Sequence, residues 1–444
     1  VELVWKISEC QRLMGDFLGQ KTSLESIPGM HRTLKVSVAL GKLYRRFGGD
    51  TFAIACFQDA LATSPFAVEA IEPLAQMGVK EHDIVCHMAG QAHVMPWLTQ
   101  YVSAVVLQAA NDHKAGQQTF HALAQSFPES TEALSGLAVC HMEIGNHEEA
   151  AQAFAQLRDV DEYCVDHMDK YAQVLKAKGD GGKLNKLTHS LLEIDVRRPE
   201  SWVAGSLYME LKDDGERALE YADKALQLDP RHAEAHIRKG LLHLDRNLYE
   251  PALMCFRTAL EVRWGVRAYQ GAVRAYIGLD RVKEALTSAK ESLQRMPRNA
   301  KALSLVGQAL SQLPECMDKA KVAFDKARQL NPLCSDTVMA QVDVLLQQER
   351  LEESADCLEA FLRLRDRDFI HSRLGDIYVK THKYEGALNE YHMALAMNPG
   401  LESAKIGLER LEKVMRGMDP DGDGEGGEDE DDEVDSFGNA SYQD

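Results

Sequence analysis

An all-α solenoid of stacked antiparallel helix pairs is predicted by three observations. Leu134, Met168, Trp202 and His236 stand 34 residues apart. The chemistry around them repeats with that step: Trp202, Ser206, Ala218, Ala222, Ala225 and Pro230 are answered by His236, Gly240, Ala252, Phe256, Ala259 and Trp264. Hydrophobic residues make up 45% of the chain but aromatics only 7%, as expected of closely packed helices rich in Ala and Leu. Such an array grows along one axis, so 444 residues need not divide into domains of ordinary size.

A period of 34 with small residues at helix contacts identifies the tetratricopeptide repeat (TPR). Its pattern is a bulky residue at position 4, Leu-Gly at 7–8, an aromatic at 11, Ala at 20, an aromatic at 24, Ala at 27 and Pro at 32. Positions 8, 20 and 27 lie where helices cross, so only Gly, Ala or Ser lets the backbones approach. Positions 4, 7, 11 and 24 fill the space around that contact. Proline at 32 ends the second helix, because it lacks an N–H and disfavours helix in its predecessor. Two copies match fully. One has Leu40, Gly41, Tyr44, Ala53, Phe57, Ala60 and Pro65; the other has Leu374, Gly375, Tyr378, Ala387, Tyr391, Ala394 and Pro399.

In chain order, residues 1–33 read as a degenerate helix pair ending near Pro28-Gly29, and 34–67 as a full repeat. Residues 68–96 start in register at Ile71 and Ala75, then lose it at Gly78, which predicts short helices and an irregular loop. Residues 97–401 read as a TPR array of about nine units. Its last unit but one, around Leu346, Ala355 and Leu362, is degenerate. A capping helix is expected over 402–416, with Ile406, Leu408, Leu411, Val414 and Met415 on its apolar side, since a terminal repeat exposes a face that needs covering. Residues 417–444, rich in Asp, Glu and Gly, are expected to be a disordered acidic tail.

That tail holds twelve acidic residues and no Lys or Arg. Removing them from 69 acidic against 50 basic residues leaves a net charge of −7 on the rest. Such a balance gives no footprint for nucleic acid, and none for an anionic membrane. No run of about 18 apolar residues suggests a membrane span. The nine cysteines are scattered without a Cys-x-x-Cys pair and read as free thiols in a reducing compartment. The chain starts at Val1 in mid-pattern without a signal peptide, and is expected to be a fragment lacking its natural N-terminus.

No catalytic residue, metal or cofactor is expected. Asp419, Asp421, Asp423, Gly424 and Glu430 match a calcium-loop spacing, yet no helix follows, so the match reads as spurious. Gly422, Gly424 and Gly427 have dinucleotide-loop spacing without the strand and helix that the loop requires. His232 and His236 share a helix face, but no third ligand is placed.

The expected binding surface is the groove lined by the first helix of each pair, at positions 2, 5, 9 and 12. These are Glu200, Val203, Leu207 and Glu210, then Glu234, Ile237, Leu241 and Leu244. The next two units give Arg267, Gln270, Arg274 and Ile277, then Lys301, Ser304, Gln308 and Ser311. The wall runs from apolar to basic and would suit a segment with an apolar anchor and a polar or acidic end. Lys and Asn, which a chaperone-tail clamp needs at positions 5 and 9, are absent from it. The alternative, that many of these residues pack against a neighbouring helix, stays open.

Stretches outside the repeat pattern carry a resemblance. They are Ser26-Ile27-Pro28-Gly29, Gly41-Lys42-Leu43-Tyr44-Arg45, Glu69-Ala70-Ile71-Glu72-Pro73-Leu74-Ala75-Gln76-Met77-Gly78-Val79 and Lys183-Leu184-Asn185-Lys186-Leu187. The run Leu408-Glu409-Arg410-Leu411-Glu412-Lys413, leading to Asp419-Pro420 and the tail, completes them. On these the chain resembles the anaphase-promoting complex subunit 7 family, most closely its plant or green-lineage type. The resemblance implies a non-catalytic scaffold of a cell-cycle ubiquitin ligase, found in the nucleus and cytoplasm. It also implies stacking on other TPR subunits and a homodimer through N-terminal repeats, the first of which this sequence lacks. The alternative is a soluble TPR adaptor or co-chaperone that binds peptide C-termini.

Overall fold

The structure, a computed structural model, describes residues 1–88 and 95–416. Among these residues there are 25 α-helices and no strand. The chain divides into two compact units, 1–365 and 366–444. The acidic tail and its calcium-loop match lie outside the described residues.

The first unit opens with the pair Glu2–Met14 and Phe17–Glu25, then Leu34–Arg46 and Asp50–Thr63. Gly15, at φ 79°, ends the first helix in the left-handed conformation that glycine adopts without strain. Register is lost next, where the 3-10 helix Val68–Ala70 and the short helices Ile71–Gln76 and Glu81–Cys86 form. Eight helix pairs follow, from Pro96–Ala109 with His113–Ser126 to Ser335–Gln347 with Leu351–Leu362.

The position-8 glycine has a concrete role. A Cβ on Gly240 would lie 2.8 Å from Phe256 Cε1, and one on Gly271, in the following helix, 2.2 Å from the same atom. The position-24 ring is thus held between two helix backbones and is fully buried. Phe57 lies on Gly41 and Phe120 under Gly136 in the same manner. Ala53, Ala60, Ala252 and Ala259 complete these contacts at 0% exposure. Burying such a ring contributes about 1.5–3 kcal/mol.

Position 4 takes an aromatic N–H donor in two successive units for a second reason. Trp202 Nε1 donates to the Val196 carbonyl at 2.8 Å, and His236 Nε2 lies 2.9 Å from the Pro230 carbonyl. Each closes the loop that ends the preceding helix. His232 Nδ1 accepts from the Ala235 amide at 3.1 Å and so caps its own helix. These two histidines serve the backbone, and no metal-binding group of three ligands occurs among the described residues.

The first unit winds back on itself. Arg46 donates to the Leu228 carbonyl, and Arg231 pairs with Asp50 at 3.4 Å. Lys114 Nζ reaches the Leu330 carbonyl at 3.4 Å, and Arg365 donates to Asn146 Oδ1 at 2.8 Å. Leu228 and Leu330 are the last residues of their helices, where the dipole favours a cation. All four contacts join residues 181 to 219 positions apart.

The second unit holds Asp368–Lys380, Tyr384–Met397 and Glu402–Met415. Tyr391 repeats the ring contact between Gly375 and Gly407 and donates to Asp376 at 2.7 Å. The final helix buries Ala404, Gly407 and Leu411, with Leu408 half-buried against them. Ile406 and Met415 were expected on this face, but are 49% and 59% exposed. The contact follows i, i+3, i+4, i+7 from Ala404, which turns both outward. His371 lies between Glu390 and Asp366, each at 2.6 Å. Burial opposes its charge, but the hydrogen bonds it donates to the two carboxylates outweigh this and raise its pKa above the usual histidine value.

Two predictions follow from this packing. Gly271→Ala should lower the unfolding midpoint, with overpacking worth about 1–3 kcal/mol, because Phe256 has no room to retreat. An unchanged midpoint in denaturant titration would contradict the clamp. His371, with its raised folded pKa, contributes stability below the unfolded histidine pKa and loses it as pH rises through the folded value. Hydrogen exchange over residues 368–397 should therefore quicken beyond the chemical exchange rate as pH rises past the usual histidine range, and His371→Gln should remove that excess.

Candidate functional site: a charged inner wall

Because the first unit turns back on itself, the first helices of distant pairs converge on one inner wall. Position 2 carries Glu234, Arg267, Lys301 and Asp336 in four successive units. Arg267 Nη1 lies 2.5 Å from Glu234 Oε1 and 2.5 Å from Gln173 Oε1. The other end of the Gln173 amide donates to Glu234 Oε1 at 2.6 Å, closing a three-residue ring. Lys301 Nζ pairs with Asp336 Oδ2 at 2.7 Å.

Further charges meet these from the chain's earlier turns. Burial would raise the Glu143 pKa, but His113, Lys301, Arg267 and Lys170 hold it below the usual carboxylate range. Burial and then repulsion by Arg263 push Lys170 down. Burial also lowers His113, whose two ring nitrogens are buried and make no hydrogen bond. Near the same wall, His167 Nε2 lies 3.8 Å from Glu72 Oε1, and Gln76 donates to Glu72 at 2.6 Å. Burial opposes charge on Lys301, yet Asp336 and Glu143 raise its pKa.

The structure divides the residues expected in the groove. Val203, Leu207 and Ile237 are 0%, 2% and 7% exposed and belong to the chain's own core. They offer no surface to a ligand, because each first helix packs this edge against its neighbours. Leu241 is half-buried against the same core. Gln270 and Gln308 are half-buried, and Arg274 is exposed. Of the set, Glu234, Arg267 and Lys301 join the charged cluster. Glu72, His113, Glu143, His167, Lys170 and Gln173 were missed. A charged residue repeating at position 2 was the available signal for the wall; convergence across a whole turn leaves none.

The wall gathers residues of both signs at the ends of successive first helices. These features define a TPR protein-binding scaffold. TPR models match residues 107–162 and 204–265. The chain is 34% identical to anaphase-promoting complex subunit 7 of Arabidopsis thaliana over 95% of its length, covering 77% of that protein. Subunit 7 of Homo sapiens is 24% identical over 93% of the chain, covering 74% of the relative. The chain belongs to the anaphase-promoting complex subunit 7 family. A solved structure, that of the APC/C hetero-tetramer Cut9-Hcn1, superposes with a TM-score of 0.62 at 16% identity, covering 91% of this chain and 82% of that one. It shares the fold.

Arg267→Met should destabilise the first unit, by about 1–3 kcal/mol, by leaving Glu234 and Gln173 half-buried without a cation. Adding Glu234→Leu should recover part of that loss, and a double-mutant cycle measures the coupling. Strict additivity of the two losses would show that the ring is not energetically linked.

Proposed function

We infer that this chain is a scaffold subunit of an anaphase-promoting complex, the cell-cycle ubiquitin ligase, and holds other subunits in register. The observation that carries this reading is 34% identity running through 95% of the chain, degenerate stretches included. Helix pairs take up nearly all the described residues, which supports a non-catalytic role. Partners are other TPR subunits. A shorter match, 29% identity over 31% of the chain, is to anaphase-promoting complex subunit 3 of Schizosaccharomyces pombe, itself a candidate model for such a partner. Several contacts made at once along a rigid array raise avidity without requiring any one to be strong. Association of two copies through the N-terminal helices, and residence in the nucleus, extend the same proposal.

Affinity purification on a tagged chain tests it. Other TPR subunits should be recovered in near-equal amounts. Recovery of chaperones alone would instead point to a co-chaperone. Charge reversal on the wall, Lys170→Glu with Lys301→Glu, should reduce recovery of a groove-bound partner while subunits that stack on the convex side remain.

A further inference from the structure

Where the first unit turns back on itself, its earlier pairs face its later ones along a seam. Five polar contacts cross that seam. Four are those of Arg46, Arg231, Lys114 and Arg365. In the fifth, the Arg197 guanidinium donates at 3.3 Å to the carbonyl of Leu13, which stands 184 positions away in the chain. Leu13 is the last residue but one of its helix, so Arg197, like Arg46 and Lys114, meets a helix C-terminus.

The apolar packing takes another course. Among the described residues, one hydrophobic cluster runs from Ala53 to Cys140, another from Leu134 to Ala235 and a third from Ile237 to Ala309. Each joins successive pairs, and none of the three crosses the seam. Beside the Arg231–Asp50 pair a cleft of about 840 Å³ separates the two sides, with Arg45, Asp50 and Gln76 on one and Arg231, Arg257 and Arg295 on the other. Ion pairs near the surface and cations at helix ends are individually weak and are screened by salt, whereas the burial of side chains within a stack is not. The winding is therefore closed by forces of a different kind from those that hold successive pairs together.

We propose that the first unit is a sprung coil: its two sides part and close along the seam with the helix pairs intact, and the five cations are the clasp that holds it closed. The consequence falls on the inner wall. Glu143 and Lys301 act on each other across the same seam, so opening separates them and the wall is complete only in the closed coil. The proposal is independent of membership of the complex, because the full chain alone tests it. Thr51 and Gln227 are exposed, next to Asp50 and Leu228 on opposite sides of the seam. Nitroxides placed there through a ketone-bearing amino acid leave the native cysteines in place, and double electron–electron resonance reads the distance between them. Raising sodium chloride from about 0.1 M to about 1 M cuts the screening length from about 10 Å to about 3 Å. The distance should lengthen and its distribution broaden. A pair at the exposed residues Gln152 and Glu220, within one stack, should not move. Lys114→Gln, Arg197→Gln and Arg231→Gln combined should show the long distance already at low salt, with helicity and melting midpoint kept. Should that variant fail to fold, the salt series on the native residues decides alone. A Thr51–Gln227 distance that salt leaves unmoved would overturn the proposal. So would lengthening that comes with loss of helicity, because that is unfolding of the pairs and not opening of the seam.

Discussion

An aromatic ring clamped between two helix backbones is the contact on which the rest depends. Phe256 between Gly240 and Gly271 is the clearest case, and Tyr391 between Gly375 and Gly407 repeats it in the second unit. Glycine is required because any Cβ would occupy the ring's own space. The ring is rigid, so the helices it separates cannot settle at another distance. Each clamp therefore sets the placement of the next pair, and small steps add into the turn that brings residue 46 to residue 228.

The charged wall is a consequence of that winding. Glu143, at the end of its helix, lies near Lys170, Arg267 and Lys301, at the starts of theirs, because the winding brings ends of separate first helices together. Away from water, such groups interact more strongly than surface pairs, and each is costly if left alone. Gln173 shows the solution: one amide donates to Glu234 and accepts from Arg267. Arg46 and Lys114, reaching helix C-termini across the turn, act in the same sense and tie the winding shut.

Where the clamp is absent the molecule changes character. In the pair beginning at Ser335, Val342 and Leu358 stand at the clamp positions, and both are fully buried aliphatic side chains. A polar Gln341 then sits at a packing position without a partner.

The sequence by itself determined the helix pairs, their order and their clamps, because these depend on residues at most one repeat apart. Gly41, Ala53 and Pro65 announced the second pair, and the loss of register after Ile71 announced the break. Family membership was legible for the same reason: the departures from the repeat are local strings. Only the tertiary structure decided which face of each first helix is free. Val203 and Leu207 have the same alternation as a groove wall, but the neighbouring helices cover them. It alone also decided that Glu72, His113, Glu143 and Lys301 share one environment. They are brought together by the accumulated rotation of many pairs, a quantity that no single repeat contains.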